Sequence, residues 1–174
     1  IDKFGDKINW GNRYNSNYAL SIANLIIEQQ ISFKAAITIK KRFAKIVNKK
    51  SESEIMNMSN SDLQSIGISF RKAQYIKNVF SFFKNKTIDF DKMSDKEVID
   101  CLVAIKGVGE WTAQMFLIFN LFRQDIFSPK DLALINSIKE NYLMESVGKV
   151  EIEKLTKKWA PYNSIACLLL WESV

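Results

Sequence analysis

The stretch Leu102-Val-Ala-Ile-Lys-Gly107-Val-Gly109-Glu-Trp111-Thr-Ala113 sets the architecture of this chain. Before it, Ser94 and Glu97 have capping-box spacing, and Val98, Leu102 and Ile105 share one helical face. After it, Trp111, Met115, Ile118, Phe119 and Phe122 predict a second amphipathic helix. Glycines tighten the turn between them and let another backbone approach closely. The second helix offers its N-terminal amides and positive dipole end to an anion, with Lys106 beside them. A phosphate suits such a nest, through a contact that is blind to base sequence. Alone, a Gly-x-Gly would suit equally well a tight turn between helices with no ligand.

On either side of this hairpin the helical period continues. Ala19, Ile22, Ala23, Ile26 and Ile27 form one stripe, and Ala36, Ile39, Phe43, Ile46 and Val47 another. Ser51–Glu54 is a capping box opening a short segment to Met58, and Asp62–Ile66 reads as a helix stopped at Gly67. Ala73, Ile76, Val79, Phe80 and Phe83 make a further face. Leu134, Ile135 and Ile138 follow a turn at Ser128-Pro129, and Ile152, Leu155 and Trp159 mark one more helix. Pro161 stands where a last helix through Cys167 to Trp171 could begin. Thr87–Phe90 is the sole plausible extended stretch. With 6 Gly and 2 Pro in 174 residues, breakers are scarce. The expectation is an all-α chain of eight to ten short helices. Residues 1–174 would form one domain of two helical lobes with a cleft, the hairpin occupying 94–122.

Composition narrows the chemistry. There is no histidine, which removes Ser-His-Asp and Cys-His nucleophiles, His-ligated zinc and imidazole proton relays. Cys101 and Cys167 are the only 2 cysteines and have no CxxC spacing, so a four-Cys cluster is excluded and buried thiols are expected. Apolar runs such as Met115–Phe119 and Ile165–Trp171 are too short to span a bilayer, and charges interrupt the first ten positions where a signal peptide would lie. An intracellular protein without a membrane partner is expected. The formal charge of +6 favours an anionic partner only weakly.

The hairpin resembles the helix-hairpin-helix of DNA-binding proteins, whose hydrophobic-x-Gly-hydrophobic-Gly turn and following Thr-Ala are matched by Ile105-Lys-Gly-Val-Gly109 and Thr112-Ala113. Lys106 stands where such families usually have Pro. Downstream, Phe127-Ser-Pro-Lys-Asp131-Leu-Ala-Leu134 resembles the run that carries the essential Asp of helix-hairpin-helix DNA glycosylases. It looks most like that of their DNA-3-methyladenine, alkylation-repair branch. Ile26-Ile-Glu-Gln29-Gln30-Ile-Ser32 is similar to that branch's early Gln-Gln-x-Ser signature. Trp159-Ala-Pro161-Tyr162 and Trp171 resemble its C-terminal aromatics, and Gly67-Ile-Ser69-x-Arg71-Lys-Ala73 fits between.

The resemblance implies a monofunctional glycosylase of base excision repair. Breaking the N-glycosidic bond puts positive charge on the sugar, and Asp131 would stabilise that charge and orient water. An ordinary N-cap Asp is the plainer alternative, and the two roles are compatible. The base must leave the stack, and by resemblance the Gln29-Gln30-Ile31 loop fills the gap, with Gln30 as the filling residue. Electron-poor alkylated purines stack on aromatics, and the resemblance implies Trp111 and Trp171 as pocket walls, with Met115 where relatives often have Tyr. Trp10 and Tyr162 are outer candidates. Lys106, Gly107, Val108, Gly109 and Thr112 would contact DNA with Gln30 and Ile31.

Bifunctional relatives hold at position 111 a Lys that forms a Schiff base, so Trp111 implies base release with no lyase step. No redox or organic cofactor is implied. The hairpin carbonyls of Val103, Ile105 and Val108 would hold a monovalent cation, Na or K, as a structural ion. The partner would be double-stranded DNA with a damaged base. The chain would be a monomer, cytoplasmic and nucleoid-associated, or nuclear in a eukaryote. The rival reading is a non-catalytic protein of the same hairpin class that binds DNA or abasic sites. The Asp131 spacing and the terminal Trp argue against it.

Overall fold

The computed structural model describes residues 8, 10–84 and 86–173. Among them every regular element is helical. They are α1 (Tyr18–Glu28), α2 (Phe33–Val47), α3 (Glu52–Asn57), α4 (Asn60–Gln64), α5 (Phe70–Phe83), α6 (Asp95–Val103), α7 (Glu110–Phe119), α8 (Leu132–Tyr142), α9 (Lys149–Trp159) and α10 (Asn163–Glu172). Short 3-10 helices cover Trp10–Arg13 and Phe90–Lys92. No described helix is long and apolar enough to cross a membrane.

Helix starts follow from their caps. Asn17, Ser32, Ser51, Ser59, Ser69 and Ser94 each accept a backbone N–H from the first turn, with full capping boxes at Ser51–Glu54, Ser59–Asp62 and Ser94–Glu97. The Ser59 box starts α4 at Asn60, ahead of the expected Asp62. Beyond α4, Gly67 at φ +102° takes the chain away from helical geometry.

The chain packs as two compact units, Asn15–Phe116 and Leu117–Val174 with Ile1–Tyr14. In the first, α5 is the central element, packed by α1, α3 and α4, while α2 lies on α1. The α1 stripe is fully buried, with Ala19, Ile22, Ala23, Ile26 and Ile27 at 0–1% exposure. An aromatic cluster anchors this core: Phe90 lies edge-on to Tyr18, Phe83 and Phe116 at centroid distances of 5.3, 6.3 and 5.3 Å. In the second unit, α8, α9 and α10 bury Leu134, Ile138, Leu155, Cys167 and Leu170, flanked by Phe127, Trp159 and Trp171.

Three expectations need correction. The α7 pattern is not a stripe: every residue from Thr112 to Phe119 is buried, as befits a helix apolar nearly all round. Phe122 lies beyond α7, at φ +53° and 41% exposed, stacked on Tyr14 at 5.6 Å. Pro161 does not begin the last helix. Tyr162 N–H turns back to Trp159 O (2.7 Å), and α10 starts at Asn163, where the Asn163 and Ser164 N–H groups donate to Asp125 Oδ1 (3.4 Å) and Gln124 O (2.8 Å). Acceptors in the 124–125 loop thus set the start of α10.

Candidate active site and nucleic-acid interface

In the first unit the hairpin is closed by short turn bonds, Ile105 N–H to Leu102 O (3.0 Å) and Val108 N–H to Ile105 O (2.9 Å). Ile105 and Val108 plug the turn into the interior at 3% and 5% exposure. Gly107 has φ +108°, and a Cβ there would lie 2.1 Å from Tyr75 Cγ, so both the conformation and the space demand glycine. Gly109 differs: it is exposed, and nothing lies within 4 Å of a Cβ built on it. Lys106 is exposed beside the positive end of the α7 dipole, while its carbonyl accepts from Asn78 Nδ2 (3.0 Å).

The Gln29-Gln30-Ile31 loop is tied to this hairpin. Gln29 Nε2 donates to Gly107 O (3.1 Å) and to Thr112 Oγ1 (2.9 Å). Thr112 is 1% exposed, so its hydroxyl fixes Gln29 and presents no side-chain surface to a ligand. Gln30 stands exposed at φ +54°, in the left-handed region, and Ile31 is half-buried. Lys72, from the first turn of α5, donates its ammonium to Ile27 O (2.9 Å) and Gln29 O (2.6 Å). Burial pushes the Lys72 pKa down. Sequence reasoning assigns no role to Gln29 as an anchor or to Lys72. Both lie inside the motifs quoted above, but partners 43–83 residues away give them their roles.

In the second unit Asp131 caps α8. Its Oδ1 accepts from Ala133 N–H (2.9 Å) and Leu134 N–H (3.1 Å), and its own N–H closes the Ser128-Pro129 turn onto Ser128 O (3.2 Å). The residue is 8% exposed. The Cys167 thiol lies near it. Burial first, and the Asp131 charge as a lesser cause, push that thiol up to about 12.

The remaining expected residues fall in varied settings. Trp171 is half-buried and stacks on Phe119 (5.7 Å, 26°), whose ring also carries the Arg13 guanidinium 4.0 Å from its centroid. Trp10 spends its indole N–H on Ile118 O (2.7 Å) and meets Phe122 edge-on. Tyr162 is 53% exposed at the start of α10. Trp111 is half-buried in the first turn of α7. Met115, one turn on, is 1% exposed and presents no surface on which a base could stack. The structure therefore gathers Gln29, Gln30 and the hairpin within one unit, and Asp131 and Trp171 within the other.

Two helices joined through a turn that only glycine at position 107 can make, with every other regular element among the described residues also helical, define a helix-hairpin-helix protein. The chain belongs to the HhH-GPD superfamily of base excision DNA repair proteins, which it matches over residues 23–161. An alkylbase DNA glycosidase-like protein of Schizosaccharomyces pombe is 35% identical over 160 residues, 87% of this chain and 75% of its own. A 3-methyladenine DNA glycosylase of the same yeast, solved in complex with abasic DNA, superposes with a TM-score of 0.83 at 28% identity, over 88% of this chain and 79% of that one. A Bacillus subtilis relative, a putative DNA-3-methyladenine glycosylase, is 30% identical over 161 residues, 86% of this chain, and there the chain spans only 56% of the relative's length.

Proposed function

We propose that this chain is a monofunctional DNA glycosylase of base excision repair. It would remove alkylated, 3-methyladenine-like bases from double-stranded DNA by hydrolysing the N-glycosidic bond of a flipped nucleotide. The observation that carries this reading is Asp131. A carboxylate 8% exposed is oriented by two backbone N–H groups, within a chain of a repair family and at the spacing from the hairpin that the family resemblance requires.

Each group has a chemical task. Asp131 faces charge developing on the sugar as the bond to the base lengthens, and orients the water that attacks the same carbon. The alkylated base leaves readily because it is electron-poor, so no histidine acid is needed. Trp171 and Trp111 are the candidate stacking partners for such a base, worth about 1–2 kcal/mol each where desolvated. With Trp at 111 no amine stands there to form a Schiff base, so the abasic site is left uncut. Gln30 fills the space that the flipped nucleotide leaves, and Lys106 with the Gly107–Gly109 backbone meets phosphate.

The reaction uses no redox or organic cofactor. The carbonyls of Val103, Ile105 and Val108 fit a monovalent cation by chemistry, since neutral oxygens are the donors that suit Na or K. Na or K held there would supply positive charge toward a phosphate. The protein is proposed to act as a monomer, inside the cell where DNA lies.

The test is release of free methylpurine from duplex DNA treated with a methylating agent. Release above the rate without protein, with the product strand left intact until alkali cleaves it, is the expected result. DNA binding without release would leave the rival, non-catalytic reading standing.

A further inference from the structure

The motif Gly67-Ile-Ser69-x-Arg71-Lys72-Ala73 contains a lysine that the proposed reaction does not use. Lys72 is the third residue of α5, and its own N–H is held by the Ser69 hydroxyl at 3.3 Å. Its side chain runs away from α5 to the end of α1, where Nζ donates to Ile27 O and Gln29 O. Those carbonyls belong to the last turn of α1 and the residue after it, at the negative end of a helix dipole, where a cation is stabilising. The nearby Glu28 carboxylate is paired with Lys40. Immediately beyond, the backbone reverses through Gln30 at φ +54°.

The residue just before that reversal also matters. Gln29 is gripped twice: its carbonyl by Lys72, and its side-chain amide by Gly107 O and Thr112 Oγ1. The loop that presents Gln30 is therefore fastened at one point to α5 and at another to the hairpin. Left-handed backbone at a residue other than glycine costs about 1–2 kcal/mol, so such a loop keeps its shape only where its surroundings hold it. Charge-assisted bonds to carbonyls are strong enough to do so.

We propose that Lys72 is a positioning residue for DNA recognition: its ammonium fastens the α1 C-terminus so that Gln30 stands in the geometry needed to fill the gap beside a flipped nucleotide. This rests on the gap-filling role proposed for Gln30. Because both contacts of Nζ are to carbonyls, Lys72 differs in kind from a lysine that meets phosphate. A phosphate contact strengthens binding to any duplex. A positioning contact matters only where there is a gap to fill.

The experiment compares the full chain with its Lys72→Met, Lys72→Arg and Gln30→Ala variants and the Lys72→Met/Gln30→Ala double variant. Two duplexes are used, alike except that one carries a tetrahydrofuran abasic-site analogue. Lys72→Met should lower the preference for the abasic duplex by about tenfold, the worth of a charged hydrogen bond, while affinity for the intact duplex changes less than about twofold. Lys72→Arg should restore most of the preference, and Lys72→Met should add nothing once Gln30 is Ala. Equal loss on both duplexes, or no loss, overturns the proposal. Amide exchange in the DNA-free protein reads the fastening independently of Gln30's role. Faster exchange at Gln30 and Ile31 in Lys72→Met, with Leu102 in α6 unchanged, supports it, and unchanged exchange at all three overturns it. A Gln30→Ala variant that keeps the full abasic preference would sink the gap-filling role and with it the recognition part of the proposal, while the exchange result still decides the fastening.

Discussion

Replacing Asp131 by Asn and, separately, by Ala separates its structural role from its chemical one. In the fold Asp131 Oδ1 takes two N–H groups, at 2.9 and 3.1 Å. An Asn side chain has an amide oxygen in the same place and is as good an N-cap as Asp, so Asn keeps both bonds and loses the charge beside the α8 dipole. That loss is worth about 0.3–1 kcal/mol. Ala loses both bonds and leaves the buried Leu134 N–H without its partner, for a total of about 2 kcal/mol. In a chain of this size each kcal/mol lowers Tm by roughly 2–4 °C, so the Asn variant should melt within about 4 °C of wild type and the Ala variant about 4–8 °C below it.

Activity should not follow that order. Both variants lack the carboxylate proposed to meet the cationic sugar. Removing one such electrostatic group costs about 100–1000-fold in rate, or roughly 2.7–4 kcal/mol. Single-turnover release of methylpurine, with enzyme in excess at a temperature where all three proteins are folded, gives the chemical step directly. An Asn variant that releases base within about threefold of wild type would refute a catalytic Asp131, leaving it a cap and nothing more. Rates that track Tm across the three proteins would refute it equally.

The two hairpin glycines should behave oppositely. Gly107→Ala puts a Cβ 2.1 Å from Tyr75 Cγ at φ +108° and should cost about 3 kcal/mol in urea unfolding. Gly109→Ala meets nothing within 4 Å and should leave stability within about 0.5 kcal/mol while weakening duplex binding, and wild-type affinity would remove Gly109 from the interface. Lys106→Ala should reduce the slope of log affinity against log salt by about 0.9, and an unchanged slope would show that it meets no phosphate. Cys167 sets an alkaline limit. Its thiol ionises near 12 when folded but near its ordinary value of 9.0 when unfolded. The unfolded state therefore sheds its proton first, and stability falls by up to about 1.4 kcal/mol per pH unit between those values. Burial also raises the Cys101 pKa, so Cys167→Ala should flatten the alkaline fall in urea midpoints without abolishing it. An equal fall in both proteins would exonerate Cys167.

What is legible in the chain is what is local. Helix existence follows from period and caps, and the Asp131 cap from its place before Leu132-Ala-Leu134. The α4 start escapes because Ser59 and Asp62 form a box with Asp in the place of the more familiar Glu. The α10 start escapes because its first donors are satisfied by residues 124–125, nearly 40 positions upstream. Met115 and Phe122 share a helical face in the sequence pattern, yet one is interior and the other beyond the helix end, since burial all round α7 erases any stripe. Gln29 and Lys72 are invisible as a pair for a related reason. Hydrogen bonds spanning 43–83 residues leave no periodic trace.

The two units hold different parts of the proposed machinery, and mutation can tell those parts apart. In the first, the hairpin, Gln29 and Lys72 form one hydrogen-bonded assembly. The proposed business of Lys106 and Gly109 at its turn is grip, so damage there should raise the concentration of DNA needed and leave the saturated rate of bond cleavage nearly unchanged. In the second, Asp131 is held by α8 itself, through donors two and three residues along the same chain. Damage at the hairpin leaves those two local donors in place. Saturating single-turnover rates for Gly109→Ala and Lys106→Ala should therefore match wild type while their half-saturating concentrations rise. Asp131→Asn should do the reverse. A hairpin variant whose saturated rate collapses would show that grip and chemistry are one function, and that the hairpin reaches the reacting atoms after all.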